Sequence, residues 1–246
     1  MYKKFAFFLF LSSWIFSQNI TDNYNIGLNC FLNQDYICAR DNFSELLNNT
    51  NNYNNAIVEY SHYYLFLSAL HLYNKDTEHL FYNFISKFPL SNKKNDAIFF
   101  MSEYLFQKKK YKKVINLLSQ INIYQLNHQE KNSAFFYLGY SYYKMNKDEL
   151  AKNSFYELIT SFDNPYKEDA IFYNSCILLR ENNKILALSG FENLKESKKY
   201  SKDVPYFISK ILFDLNRYEN ISNYLESVLD SNNCTNYNNL VLLYAK

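Results

Sequence analysis

Apolar residues along this chain recur at spacings of three and four, and the stretches that show this come in pairs. Phe136, Tyr137, Gly139, Tyr140 and Tyr143 form one such stretch. The polar residues from Met145 to Glu149 interrupt it, and Leu150, Ala151, Phe155, Leu158, Ile159 and Phe162 then resume the period. Spacing of this kind lines one face of an α-helix, so the sequence predicts two helices joined by a tight turn. The layout occurs six times. In each unit a small residue stands twelve positions before a small or aliphatic one, with a bulky apolar residue four further on: Gly27/Ala39/Phe43, Leu65/Thr77/Phe81, Ser102/Val114/Leu118, Gly139/Ala151/Phe155, Ser175/Ala187/Phe191 and Ser209/Ile221/Leu225. Leu65 is the bulky exception at the first position. Successive units start 38, 37, 37, 36 and 34 residues apart.

Two longer matches support the repeat. The run Asp96 to Ser102, DAIFFMS, returns as DAIFYNS from Asp169 to Ser175. Phe81 to Pro89, FYNFISKFP, returns as FYELITSF from Phe155, with Pro165 just beyond. Both offsets equal two units. The expected fold is therefore all-α, with units at about residues 20–54, 55–92, 93–127, 128–166, 167–200 and 201–235 and a terminal helix at 236–246. Small residues on each first helix and alanines on the second allow close approach, and the bulky residue fills the space between pairs. The second unit, with Leu65 and Thr77, is expected to be the least regular. Asp96, Asp169 and Asp203 precede first helices, where a carboxylate can accept backbone N–H bonds. Pro205 falls in a first turn, while Pro89 and Pro165 stop second helices.

Three glycines and three prolines in 246 residues leave little turn chemistry for a β protein. The aromatic share of 20% suggests a ring-lined sugar or peptide surface, or a bias towards Tyr and Phe at core positions. Most of these rings fall at helical core spacing, which favours the core reading. Residues 1–18 read as an export signal. Lys3 and Lys4 are followed by the apolar run Phe5 to Leu11 and by small residues at 12, 13 and 17. An uncleaved anchor is the alternative, although the run is short for a span of roughly 20 residues. The mature chain would then be electrically neutral, a poor match to nucleic acid. The lysines at 108, 109, 110, 112 and 113 form the turn of the third unit, a solvated loop or a contact for acidic polymer or lipid.

This pattern resembles the tetratricopeptide repeat family, over roughly residues 20–233. None of the six units carries the family's Trp, and the second departs most. The Phe88-Pro89 ending resembles exported bacterial members of the family. The resemblance implies a right-handed superhelical solenoid of about six antiparallel helix pairs plus a terminal helix, with first helices lining a groove for partner peptides. It implies a non-enzymatic scaffold in the cell envelope, exported to the periplasm or the outer-membrane periphery. Other envelope proteins would be the partners and no cofactor is expected. A polysaccharide- or peptidoglycan-associated role is the alternative. On this analogy the groove-lining candidates are Phe99, Glu103, Phe136, Tyr140, Tyr143, Phe172 and Tyr206, although rings at these positions can equally pack against neighbouring units. The family's basic clamp for a terminal carboxylate has mostly Phe and Tyr at the matching positions here.

No Gly-rich phosphate loop, H-E-x-x-H or Gly-x-Ser-x-Gly motif occurs, so no catalytic residue, cofactor site or metal site is assigned. His62, His71, His79 and His128 lack metal-ligand spacing and read as isolated surface or groove residues. Cys30 and Cys38, on the two helices of the first unit, either pair or serve as small core residues. Cys176 and Cys234 have no evident partner. Leu240 to Ala245 resembles the start of a seventh first helix without its second helix. An imperfect cap, cover by another subunit, or a longer protein would each account for that.

Overall fold

The computed structural model describes residues 22–49, 56–221, 224, 235 and 237–244. The expected export signal and Cys234 lie outside them. The helices are α1 (22–32), α2 (Tyr36–Asn48), α3 (Ala56–His71), α4 (Thr77–Lys87), α5 (Lys94–Gln107), α6 (Tyr111–Leu118), α7 (His128–Lys144), α8 (Asp148–Thr160), α9 (Lys167–Arg180), α10 (Lys184–Glu192), α11 (Val204–Asp214) and α12 (Tyr237–Tyr244), and residues 218–221 are also helical. There is no strand among the described residues. None of the helices described is long and apolar enough to cross a membrane. The chain divides into two compact units, Met1–Tyr104 and Leu105–Lys246, with the boundary inside α5.

Within each unit, consecutive helices pack on one another: α2 on α3 and α3 on α4 in the first, and α6 through α11 in sequence in the second. In the second unit α7 also touches α9, the next first helix. Neighbour-only packing of this kind is what a helical repeat uses to bury faces that no single pair can cover.

The triplets have a direct physical meaning. A Cβ built on Gly27 would lie 3.0 Å from Cε1 of Phe43, and one on Gly139 only 2.6 Å from Cε1 of Phe155. The small residue is thus the floor on which the bulky residue of its own pair rests. The other face of that ring meets an aromatic from the next first helix. Phe43 stacks on Tyr64 at 5.6 Å, Phe155 on Tyr173 at 6.1 Å and Phe191 on Phe207 at 4.7 Å. Leu65, the exception, packs with Ala39 and Phe43 of the preceding pair, so its bulk serves the junction between pairs.

Each of the six hairpin turns passes through one residue in the left-handed region, with φ between 53° and 63°: Gln34, Tyr73, Lys109, Asn146, Asn182 and Asn216. They fall seven residues after the small position, except Tyr73, which falls eight after Leu65. That one-residue offset is where the second unit departs from the others. Every turn closes alike. The residue after the left-handed one donates its N–H to the carbonyl five back, as from Asp35 to Cys30 (2.9 Å), Asn74 to Ala69 (3.0 Å) and Lys147 to Tyr142 (2.9 Å). This is the Schellman closure, usually built around glycine. None of the six is glycine here, and a side-chain-bearing residue in that region carries a cost of roughly 1–2 kcal/mol. Gln34→Gly is therefore expected to raise stability by about 0.5–1 kcal/mol in urea unfolding, after allowing for glycine's greater freedom in the unfolded chain.

Pairs are also tied by contacts from the start of one second helix to the end of the next first helix. Tyr36 stacks on His71 at 4.2 Å. Asp148 accepts from Arg180 at 2.6 Å, and Lys184 lies 3.5 Å from Asp214. The last two pairs occupy equivalent positions with reversed polarity. In the first unit the Arg40 guanidinium donates to both carboxylate oxygens of Asp76 (3.1 and 2.8 Å).

The first pair is further locked by a Cys30–Cys38 disulfide, with Cα atoms 5.8 Å apart. Two sequence expectations, the capping aspartates and the core position of Phe162, need correction. Asp96 and Asp169 sit inside the first turns of α5 and α9 rather than at the caps, and Asp203 takes the cap position of α11 without a side-chain bond. α7 carries the capping box that the reading missed, Asn127 with Glu130. Phe162 lies past the end of α8 and is 92% exposed, because Ser161 already has extended backbone and turns it out of the helical face.

Candidate functional site

Of the seven candidates, Phe99 and Glu103 lie in the first compact unit, where Phe99 is buried and Glu103 half-buried. The other five lie in the second. Phe136 and Phe172, one repeat apart, are each covered by a tyrosine from the chain leading into a following helix. Phe136 stacks on Tyr166 (4.6 Å, 12°) and Phe172 on Tyr200 (4.3 Å, 12°). These rings belong to the packing between pairs. Tyr206 is half-buried, edge-on to Phe207 at 5.6 Å within the cluster around α11.

The same register position of the second repeat is His62, which is buried, 5.5 Å from the Phe88 ring. That overturns its reading as a surface or groove histidine. The turn carrying Phe88 folds back over the end of α4 and seals this position, as Tyr166 and Tyr200 do later. Burial, with the nearby Lys87 charge adding to it, lowers the His62 pKa to about 4. The unfolded chain, with an ordinary pKa near 6.5, takes up a proton that the folded state refuses between about pH 6.5 and pH 4. Stability from neutral His62 is complete above that window and falls as the pH drops through it. The melting temperature of the protein should fall more steeply from pH 7 to pH 4 than that of His62→Phe, measured side by side.

Tyr140 and Tyr143, half-buried like Glu103, Phe136, Phe172 and Tyr206, are brought together with residues the sequence reading did not single out. Tyr173 of α9 lies edge-on to Tyr140 (4.9 Å, 77°) and 5.2 Å from Tyr143. The Arg180 guanidinium sits 4.7 Å from the Tyr143 ring centre, while Lys144 Nζ stands 5.2 Å from that of Tyr140. Tyr111 and Phe106 border the other side of Tyr140, at 5.8 and 5.6 Å. This face combines rings with two cations whose charges are partly engaged by them. Tyr173 stands two before the small residue Ser175, and Arg180 five after it. A helical wheel places both, seven apart, on one face of α9, and the packing of α9 on α7 turns that face towards Tyr143.

Burial keeps the phenols of this face protonated. Burial raises the pKa of the Tyr143 phenol, with Cys176 adding and Arg180 opposing. Burial, with Tyr140 adding, raises that of Tyr111. Tyr173 is pushed up strongly by its own burial and by Tyr140 and Asp169. These phenols keep their protons and offer hydrogen-bond donors. Cys176, alone among the described cysteines in being unpaired, is raised to about 11 by burial, so it stays a thiol and is no nucleophile at neutral pH. The described residues include no group of three or more His, Cys, Asp or Glu that could hold a metal ion.

No protein-family model matches the chain, and no curated protein matches it. A search of solved structures finds similarity to the tetratricopeptide repeat domain of P58(IPK), at 11% identity and a TM-score of 0.40, covering 92% of this chain. The match spans 63% of the length of that chain.

Proposed function

We propose that this chain is a non-enzymatic scaffold that binds a segment of another protein across the first-helix face of α7 and α9. The carrying observation is the cluster of Tyr140, Tyr143 and Tyr173 with Arg180 and Lys144, half-exposed on a rigid pair of helices. Tyrosine and arginine are the side chains that dominate protein interfaces, because each combines a large contact area with hydrogen bonding. The stacked, covered state of Phe136 and Phe172 supports protein binding over sugar binding, which uses rings laid open to solvent. Export to the cell envelope belongs to the same proposal, supported by the charged and apolar character of residues 1–18.

The test is photo-crosslinking in intact cells from a probe amino acid placed at Lys144, followed by mass spectrometry. One or two reproducible partners are expected, lost by at least about tenfold in Tyr143→Ala with Arg180→Ala and retained in Tyr156→Ala on the exposed side of α8. Equal capture by the double variant would sink the proposal.

A further inference from the structure

The Cys30–Cys38 bond is not sealed in a core. Cys30 stands in the last turn of α1 and Cys38 in the first turn of α2, and both are half-buried. Ile26, one turn before Cys30, and Ile37, next to Cys38, are 49% and 64% exposed, an apolar rim beside the bond. The two sulfurs are not equivalent. Cys38 lies at the N-terminal end of its helix, where the dipole favours negative charge, and that first turn holds no acidic residue. The Asn42 amide group reaches its Sγ at 3.5 Å. Asp35, at the cap, opposes this in part, since its carboxylate accepts from the Cys38 N–H at 3.1 Å. Cys30 lies at a helix C-terminus, where the dipole disfavours a thiolate. Cys38 is therefore the better leaving group, and thiol–disulfide exchange is faster when the departing thiolate is more stable.

The bond also closes a hairpin that is thinly buried. α2 buries Ala39, Phe43 and Leu46, and α1 buries Gly27. The hairpin docks on α3, where Phe43 meets Tyr64 and Leu65. Left-handed Gln34 strains its turn. We infer that Cys30–Cys38 is a redox exchange site for a protein dithiol, and that its state sets whether the first hairpin stays docked on α3. A thiolate of the reductant attacks Cys30 Sγ. The S–S bond breaks, and its electron pair leaves on Cys38 Sγ, which takes a proton from water. The second thiol of the reductant then attacks the mixed disulfide and releases Cys30 as a thiol. The reductant ends as a disulfide, and this chain gains two electrons and two protons. Without the cross-link the hairpin frays and uncovers Tyr64 and Leu65. The site belongs to the first compact unit and the face on α7 and α9 to the second, so each stands or falls separately.

The experiment is hydrogen exchange by mass spectrometry on the whole chain, oxidised and after dithiothreitol. Dithiothreitol should open the bond without denaturant. Exchange across residues 22–49 should then speed up about a hundredfold, the loss expected on opening a cross-link of this kind. α4 and α5 should keep their protection. Cys30→Ser with Cys38→Ser should match the reduced chain with or without dithiothreitol. Brief exposure to glutathione, acid quenching and peptide mapping give the direction of attack. The adduct on Cys30 should exceed that on Cys38 several-fold, and Asn42→Ala should narrow the ratio. Unchanged exchange across 22–49 after full reduction would overturn the control of docking. Equal acceleration throughout the first compact unit would overturn it too, as the mark of a plain structural staple. A bond that dithiothreitol opens only in urea, or equal adducts on the two cysteines, would overturn the exchange site.

Discussion

Phe155→Ala is expected to destabilise the second compact unit by about 3–5 kcal/mol, the range for removing a fully buried aromatic ring. Phe155 has no exposed surface, and its ring lies between Gly139 of its own pair and Tyr173 of the next. Removing it opens a void that rigid helices on both sides can close only in part. The reciprocal change, Gly139→Ala, sets two effects against each other. Alanine gains about 1 kcal/mol of helix propensity, while its Cβ would sit 2.6 Å from the Phe155 ring. Overpacking of that sort costs about 1–3 kcal/mol, so a net loss is expected. Combining Gly139→Leu with Phe155→Ala moves bulk from one helix to the other. The pair should be less destabilised than the sum of the single changes, with a coupling of about 1–2 kcal/mol in urea unfolding. Strict additivity would show that the two positions do not meet.

Asp169→Ala should be nearly as damaging, at about 2–4 kcal/mol. The Asp169 carboxylate is buried in the first turn of α9 and accepts hydrogen bonds from Lys199 and from the Tyr200 hydroxyl. Tyr200 is itself buried, and losing the carboxylate leaves its hydroxyl only the Tyr173 phenol as a partner. Tyr200→Phe separates the two contributions. It keeps the ring stacked on Phe172 and removes only the hydroxyl, and it should cost about 1–1.5 kcal/mol by thermal or urea unfolding. A cost for Tyr200→Phe equal to that of Asp169→Ala would mean that the Lys199 ion pair contributes nothing.

The residues at the centre of these two predictions differ in how far the sequence disclosed them. The contact of Gly139 with Phe155 was legible because both lie within one pair at a fixed separation, and six occurrences make the spacing conspicuous. Asp169 was visible as an acidic residue at a helix start, and capping was the local explanation available. Its real partners stand 30 and 31 residues later, in a stretch after α10 that has no helical period to anticipate. The covering of Phe136 by Tyr166, of Phe172 by Tyr200 and of His62 by the Phe88 turn was hidden for the same reason. Irregular links between pairs fold back over the first helices, and periodicity describes only the helices themselves. The left-handed turn residues were hidden in another way. Glycine would have marked them, and this chain uses Gln, Tyr, Lys and Asn instead. Within the candidate face, Tyr140 and Tyr143 came from family analogy, while Tyr173 and Arg180 required the packing of α9 against α7.

The reversed ion pairs between consecutive repeats bear on how this array can change. Asp148 faces Arg180, and one repeat later Lys184 faces Asp214. Excising α9 and α10 as a single module would bring Asp148 up against Asp214, two like charges at a junction that now holds opposite ones. Duplicating the same module would set Lys184 beside a second Arg180. The order of these two junctions is written in their charges, so the α9–α10 module can be neither dropped nor doubled without setting like charges side by side.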